Sequence, residues 1–498
     1  MFKYLTFFLL FVTTGIGLSN TLPDTLSGSV KGTTLANHSY VVKDTLIINA
    51  GDTLQVSPGD TLLMKNDPVT GAACWIHVLG TFICEGTATN RNVITTANVD
   101  SSKHPGMWGG IVGDSCKYIS VKFTDVSWAG GADATGHAYR TFDVYSDYAN
   151  TTNVVFTDNH VTGTVDDCIG VTGGNASFLR NVVKWSGAPD GDAFNMKGGV
   201  VGEIAYNVVW AQGGNCVKIN SDPTLPRLTN MCVHNNTFVA GGWRRITELG
   251  YAILVDASGR AEIYNNIMGD MYSELEITNV ADTNRTVYQN NLFFYSVDSL
   301  KGQSRYYPSD GVGKPASNDI MDVKASDLFI SYQPYFYNDW LSLDVKNDYH
   351  LLPTAVALGK GITPPLPTPT NHWGNPYFGN GTTTLPGDAN IGALGVGTVS
   401  GVSDQNPGII KKFTLGQNYP NPFNPTTNII YTLKESGLTS LQIFNVLGQL
   451  VMTVDQGFRQ AGQTYSFNVK MDNLSSGIYF YTLREGNNLL TKKMVLLK

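Results

Sequence analysis

Short β-branched or aromatic segments, each followed by a turn rich in glycine and asparagine, recur along the middle of the chain. Six of them share an asparagine at the same place: FTDNHVTG, LRNVVKWSG, AYNVVWAQG, VHNNTFVAG, IYNNIMGD and YQNNLFFY. These asparagines are Asn159, Asn181, Asn207, Asn235, Asn265 and Asn290, which are 22, 26, 28, 30 and 25 residues apart. A second series lies between them: DDCIGV, GDAFNM, GNCVKI and GYAILV. Each period therefore predicts at least two short strands and no amphipathic helix.

One period is too small to bury its own apolar side chains, so successive periods must stack strand upon strand at about 4.8 Å per layer. This stacking predicts an all-β fold, a right-handed parallel β-helix, over residues 21–394. The repeated asparagine suits the inside of a turn, where its amide can pair with the backbone and with asparagines in the neighbouring coils. Near the start, DTL begins at Asp44, Asp52 and Asp60 and predicts the opening coils.

Strand alternation predicts which side chains of the second series face the core. With Ile169 and Val171 pointing inward, the same positions of later coils also point inward: Phe194 and Met196, Val217 and Ile219, Ile253 and Val255. Three outward columns follow: Cys168, Ala193, Cys216 and Ala252; Gly170, Asn195, Lys218 and Leu254; Thr172, Lys197, Asn220 and Asp256. Asp167, Asp192 and Asn215 are predicted to stack at the corner just before the strands.

The N-terminus predicts export. It reads MFKYLTFFLLFVTTGIGLSN, in which Lys3, an apolar run and then small residues have the layout of a secretory signal peptide over residues 1–20. No later stretch approaches the roughly 18 to 20 apolar residues that span a bilayer. We therefore expect an exported mature chain with no transmembrane span, and a monomer.

The charge of the chain limits its classes of binding partner, and its cysteine content indicates the state of its thiols. The net charge is -7; from Phe413 to the end seven Lys/Arg stand against four Asp/Glu, which gives +3 there and -10 for the rest. The acidic charge of the larger part argues against nucleic acid as a partner. If that part binds an acidic polymer, a cation would have to bridge the two. Six cysteines are too few for a disulfide scaffold and lack CxxC pairs, so buried single thiols are favoured over a bridge between Cys74 and Cys84.

The sequence pattern changes after a Gly/Ser/Val linker at residues 395–412. FTLGQNYPNPFNPTTNIIYTL, LQIFNVLGQLV, NLSSGIYFYTL and TKKMVLLK follow, with alternating strands and Pro-rich or Gly turns that predict a small antiparallel β-sandwich over residues 413–498. This segment closely resembles the C-terminal sorting domain of proteins exported by the type IX secretion system. The resemblance implies binding to that machinery, passage across the outer membrane, and release or attachment at the cell surface. An ordinary immunoglobulin-like binding module is the alternative.

Two stretches of the larger part resemble secreted right-handed β-helix proteins. They are HVLGTFICEGTATNRNVITT through HPGMWGGIV near the start, and NDYHLLPTAVALGKG with HWGNPYF and DANIGALG near the end. This resemblance concerns the fold and says little about function.

Acidic residues on adjacent coils predict a calcium site. Carboxylates so placed repel one another unless a cation joins them, and the candidate ligands are Asp166, Asp167, Asp190 and Asp192. An outward lysine, Lys197 or Lys218, could remove the proton beside a uronate carboxylate if its pKa were lowered. The set resembles the calcium-dependent pectate lyases, which implies Ca²⁺-assisted β-elimination of an extracellular uronate polysaccharide. The match is partial: Gly170 stands at the third acid, Lys197 is displaced by two positions, and Lys218 lies one coil too far.

Two other interpretations stay open. VDDCIGV is also similar to the GDDCIAI strand of polygalacturonase-type glycoside hydrolases, in which separated carboxylates protonate the leaving oxygen and activate water; Asp143 could supply a third acid, but the expected histidine is missing. Alternatively Asp166 and Asp167 only shape a turn, and the protein is a non-catalytic adhesin or carbohydrate-binding scaffold. Trp185, Trp210 and Asn220 are candidates for binding sugar along either kind of groove.

Overall fold

In the computed structural model the chain divides into two compact units, with the boundary between residues 399 and 400. The structure describes residues 22–497 apart from 23, 67–72, 98–105, 133–139, 147–151, 187–190, 211–212, 240, 242–249, 272, 297–315, 317, 333–346, 363–389, 395–412, 419, 434–436, 460–463 and 486–487. The predicted signal peptide and linker lie outside these residues. The described part contains one short 3-10 helix, Ala325–Asp327, and no α-helix.

The first unit is a parallel β-helix, as predicted, and most of its coils carry three short strands rather than the minimum of two. Strands at the same place in successive coils pair in parallel and form three long faces. Face 1 consists of Thr25–Ser29, Ser39–Ile48, Trp75–Val78, Gly110–Asp114, Phe142–Tyr145, Ile169–Thr172, Phe194–Lys197, Val217–Ile219, Tyr251–Val255 and Ser273–Ile277. The long strand Ser39–Ile48 belongs to face 1 only in its second half, because its first half pairs with the face 3 strand Thr61–Met64.

Face 2 follows face 1 in each coil, and face 3 follows face 2. Face 2 consists of Gly32–Thr33, Thr53–Val56, Thr81–Glu85, Tyr118–Lys122, Asn153–Thr157, Asn175–Leu179, Val201–Ala205, Asn230–His234, Arg260–Tyr264 and Val287–Gln289. Face 3 consists of Thr61–Met64, Asn92–Thr96, Thr124–Ser127, His160–Thr164, Val182–Ser186, Val208–Trp210, Thr237–Val239, Ile267–Gly269, Leu292–Tyr295 and Ile320–Lys324. The DTL repeats therefore mark successive sides of an opening coil and not one coil each.

The predicted register of face 1 is confirmed for its inward positions. Ile169 pairs with Phe194, Phe194 with Val217, and Val217 with Ile253, and all four side chains are fully buried. The small residues at or just before the start of each strand differ from the prediction: Cys168, Ala193, Cys216 and Ala252 were expected outside but belong to the core. Strand alternation does not extend through the corner, where the backbone turns and these side chains swing inward.

The turn from face 1 to face 2 explains the paired glycines of VTGGN. Gly173 and Gly174 adopt positive φ angles of 75° and 72°. A Cβ at Gly173 would lie 2.6 Å from the carbonyl oxygen of Ser146, and one at Gly174 would lie 2.6 Å from that of Thr152. Only glycine fits both the backbone conformation and the close approach of the preceding coil.

An asparagine ladder runs along the turn between faces 2 and 3. The Oδ1 atom of Asn181 accepts the N–H of Asn159 at 3.0 Å, and its Nδ2 donates to the carbonyl of Phe156 at 2.9 Å, so the amide satisfies groups that the turn leaves unpaired. The predicted ladder needs one correction, because its later members are shifted by one residue. The observed members are Asn159, Asn181, Asn207, Asn236, Asn266 and Asn291.

The first asparagine of each later NN pair has a different role. Asn235, Asn265 and Asn290 adopt positive φ, as do the residues just before the earlier ladder members. Their side chains donate to the backbone carbonyls of Asn390, Ile362 and Lys360 at 2.6 to 2.9 Å. They thereby attach the closing segment to the outside of the turn. That segment also includes the antiparallel pair Phe329–Ser331 and Asp348–Leu351.

All six cysteines are buried free thiols, in agreement with the sequence. The second unit contains two antiparallel sheets, as predicted for a small sandwich. One sheet has the strands Thr414–Leu415, Thr426–Thr432 and Thr464–Lys470, and the other has Gly437–Phe444, Leu450–Arg459, Gly477–Glu485 and Asn488–Leu496. Side chains from both sheets, such as Ile429 and Tyr481, share one apolar core.

Candidate functional site

The outer surface of face 1 carries a polar column in the register that the sequence predicts. Gly170 pairs with Asn195, Asn195 with Lys218, and Lys218 with Leu254. Lys197 pairs with Thr172 in the adjacent column. Both lysines are half buried. The two candidate bases therefore lie on adjacent coils but in different columns, and Asn195, on the strand of Lys197, pairs with Lys218.

Three corner side chains hold successive coils together. Asp167 accepts the backbone N–H of Asp192 at 2.8 Å, and Asp192 accepts that of Asn215 at 2.7 Å. Asn215 in turn accepts the N–H of Tyr251 at 2.9 Å. This predicted stack is therefore a hydrogen-bonded ladder, in which each carboxylate or amide satisfies a backbone donor of the next coil. Asp166, beside it, is half buried.

Arg140 is the member of this site that the sequence interpretation missed. Its Nε donates to Asp167 at 2.7 Å, and its Nη1 donates to Asp143 at 2.8 Å. The hydroxyl of Tyr145 donates to the other oxygen of Asp143 at 3.2 Å. A single guanidinium therefore joins acids from two adjacent coils. The signal in the sequence is an arginine three residues before Asp143, but only the coil register shows that it also reaches Asp167.

The side chain of Arg140 also explains the glycine at the position of the third acid. A Cβ at Gly170 would lie 2.3 Å from Cδ of Arg140 and 2.7 Å from its Nε. A carboxylate side chain would need the space that the arginine occupies. Gly170 is thus part of the arginine-centred arrangement.

Burial and neighbouring charge shift several pKa values in the site. Burial, followed by the charge of Arg140, lowers the pKa of Lys197. Burial and then the charge of Asp167 raise the pKa of Asp166. The same two causes raise the pKa of Asp192 to about 7. Burial alone would lower the pKa of Arg140, but the charges of Asp143 and Asp167 raise it, so Arg140 remains a cation. Lys197, whose pKa is lowered, therefore lies near a permanent positive charge.

The raised pKa of Asp192 predicts a pH-dependent stability. Between pH 4 and 7 the folded chain holds a proton at this carboxyl that the unfolded chain releases, so the free energy of unfolding falls as pH rises through this window. Asp192→Asn keeps an acceptor oxygen for Asn215 and removes the charge. We expect this variant to be more stable than the wild type by about 2 kcal/mol at pH 8, with little difference at pH 4.

Chemical denaturation of the two chains at both pH values measures this effect. Asp114→Asn, at an exposed strand end on the same face, is the matched control and should change nothing at either pH. An equal effect of Asp192→Asn at pH 4 and pH 8 would contradict the assignment of the shift to this carboxyl.

The described residues do not fit the calcium site suggested by the sequence. Asp167 is paired with Arg140 and also accepts hydrogen bonds from Asn195 Nδ2 and from the N–H of Asp192, so its oxygens already have donors. In the described part of the chain, no three His, Cys, Asp or Glu side chains are grouped so that they could hold a metal ion. Asp190 lies outside the described residues. Of the four predicted ligands, Asp167 is the one that the structure shows paired with the Arg140 guanidinium.

The candidate sugar-binding residues are dispersed. Asn220 follows the face 1 strand Val217–Ile219 and is half buried, beside the lysine columns. Trp210 lies on face 3 with 7 % of its surface exposed and packs with Ile267 and Leu328 in a second core. Trp185 lies on the face 3 strand Val182–Ser186, and its side chain is outside the described part. Of the three, only Asn220 shares a face with Lys197.

Comparison with known proteins identifies the second unit. Residues 417–497 match the family model of the secretion system C-terminal sorting domain. The chain is therefore a cargo of the type IX secretion system and is exported to the cell surface or beyond. Neither the curated proteins nor the solved structures include a match to the chain. Among the described residues, no helix has the length and apolar character to cross a bilayer.

Proposed function

We propose that this exported β-helix protein binds an extracellular uronate polysaccharide along face 1 and cleaves it by β-elimination, with Lys197 as the base. The position of Lys197 is the observation that carries the proposal. Its side chain projects from the outer surface of face 1, close enough to Arg140 for that charge to lower its pKa. A neutral amine can accept a proton, and burial increases the fraction of the lysine that is neutral.

The reaction balances with this chain's own groups. Lys197 takes the proton from the carbon beside the uronate carboxyl, and the electrons of that C–H bond form the C4=C5 double bond. The C4–O glycosidic bond breaks, and the leaving oxygen takes up a proton from the lysinium or from water. Lys218, one coil further along, supplies a positive charge for the carboxylate of the substrate.

Unpaired polar atoms on the same face support sugar binding. Oδ1 of Asn195 and Oγ1 of Thr172 are shielded from solvent and have no hydrogen-bond partner within the described residues. Both belong to the columns that carry the lysines. Such atoms are costly unless a ligand or water satisfies them, and sugar hydroxyls are suitable partners.

The proposed reaction contains no step that uses calcium. When bound, calcium would neutralise a uronate carboxylate and lower the pKa of a nearby base. In this chain burial and the charge of Arg140 lower the pKa of Lys197, and the partners of Arg140, Asp143 and Asp167, oppose them with smaller effects. The elimination should therefore proceed without an added metal ion.

Absorbance near 235 nm tests the proposal directly, because elimination produces an unsaturated uronide. Purified protein is given polygalacturonate, alginate and glucuronan, each with Ca²⁺ or with a chelator. We expect a rising signal on at least one polymer, and we expect the signal to persist in chelator. A flat trace on every polymer from a folded protein would refute the lyase.

A second candidate function rests on Asp166. Its raised pKa suits a general acid of a glycoside hydrolase, and unlike Asp167 it is not the partner of Arg140. New reducing ends without absorbance at 235 nm would favour this hydrolase. Neither product, together with retained polymer binding, would favour a non-catalytic adhesin or binding scaffold.

A further inference from the structure

A second concave site lies on face 2, which follows face 1 in each coil. It is a groove of ≈ 340 Å³ whose floor is a column of paired positions, Val201, Asn230 and Arg260. The loop around Arg227 forms one wall, and Asp282 and Arg285 from the next turn form another. The floor comes from regular parallel strands, so its side chains are spaced by the coil repeat.

The lining is positively charged on an otherwise acidic unit. Arg227 donates to the carbonyl oxygens of Gly174 and Gly199 and, at 3.3 Å, to Oδ1 of Asn175. Arg285 is 66 % exposed and lies 3.9 Å from Asp282, and Nη2 of Arg260 lies 3.7 Å from Glu262; both distances are near the limit of an ion pair. Three guanidinium groups and one carboxylate therefore line the groove, while the whole chain has a net charge of -7.

Two polar atoms of the floor lack partners. Oδ1 of Asn230 and Nε of Arg260 are shielded from solvent, and neither has a hydrogen-bond partner among the described residues. One is an acceptor and the other a donor, side by side in register. A ligand that carries both a hydroxyl group and an anionic group would satisfy both after a small side-chain movement.

We propose that this groove binds an acidic sugar unit of a glycan, with its anionic group on Arg260 and Arg285 and a hydroxyl group directed to Asn230. Guanidinium groups bind planar carboxylates through paired hydrogen bonds, so a uronate is favoured over a sulfate ester. The site would hold the acidic polymer on a face distinct from face 1. It requires no catalysis at Lys197.

Isothermal titration of the full chain with a galacturonate trisaccharide tests the proposal. In Lys197→Ala, which leaves the groove intact, binding should persist, and Arg285→Gln in that background should weaken it about tenfold, the loss of one charged hydrogen bond. Arg484→Gln, an equal change at an exposed position of the second unit, is the matched control. Because Arg285 is largely exposed, its replacement should leave the melting temperature unchanged.

Two further probes identify the ligand chemistry. The methyl-esterified trisaccharide, which has no charge, should bind at least tenfold more weakly, and a sulfated trisaccharide should bind more weakly than the uronate. Equal binding of the ester, or unchanged affinity in Arg285→Gln with Arg260→Gln, would overturn the site. Inorganic sulfate that binds as tightly as the trisaccharide would overturn the assignment to a sugar acid. Failure at this groove leaves the absorbance test of face 1 unaffected.

Discussion

Lys197→Ala is expected to lower the rate of unsaturated uronide formation by about 10²- to 10⁴-fold, the usual contribution of a positioned base. The expectation follows from the position of Lys197 on the outer surface of face 1, where burial and the charge of Arg140 favour its neutral form. The rate is measured at 235 nm on the polymer that the wild type degrades. Because the side chain is half buried on the outer surface and not in the core, we expect the melting temperature to change little.

Lys197→Arg separates the role of the base from that of the charge. Arginine keeps the positive charge but does not lose its proton at accessible pH, so it can help bind a uronate and cannot accept the proton. We expect KM to stay near the wild-type value and kcat to fall as far as in the alanine variant. Lys218→Ala should show the reverse pattern, with a raised KM and a smaller loss of kcat.

Lys117→Ala is the control for these variants, since Lys117 is exposed and precedes a face 2 strand. It should retain full activity. If Lys197→Ala were as active as this control, Lys197 would not be the base. If Lys218→Ala alone lost kcat, the base would be Lys218, the other candidate that the sequence offered.

The fold could be predicted from the sequence because the repeat spacing and the alternation of apolar residues both follow from the stacking of the coils. Ile169, Phe194, Val217 and Ile253 could be aligned from spacing alone, and they stack in the core as expected. The corner stack of Asp167, Asp192 and Asn215 was equally visible. These features depend on the coil repeat, which a sequence displays directly.

The arginine at the centre of the site was harder to predict. Nothing in the spacing says that the side chain of Arg140 turns toward Asp167, because its length lets it reach several neighbours. The shift of the ladder from Asn235 to Asn236 has a similar origin, since both asparagines suit the turn and only the backbone conformation distinguishes them. The sequence pattern therefore does not reveal the direction of long side chains or the backbone geometry at the corners.

Asp167→Ala is expected to destabilise the β-helix by about 3 to 5 kcal/mol, the usual effect of removing one partner of a buried ion pair. The side chains of Asp167 and Arg140 are 6 % and 14 % exposed, so water cannot readily replace the lost carboxylate. The substitution also leaves the N–H of Asp192 and the amide of Asn195 without their acceptor. The free energy of unfolding from chemical denaturation measures the effect.

Asp166→Ala is the matched control because it removes the neighbouring carboxyl from the same corner. Burial and the charge of Asp167 disfavour the ionised form of Asp166, so its loss should be neutral or slightly stabilising at pH 7. Asp167→Asn should lie between the two, because it keeps an acceptor for Asp192 but not the charge that pairs with Arg140. Equal stability of Asp167→Ala and Asp166→Ala would contradict a structural role for Asp167. If Asp167→Ala stays folded in mild buffer yet loses activity, the same carboxylate also positions Arg140 beside Lys197, and the corner serves the chemistry as well as the fold.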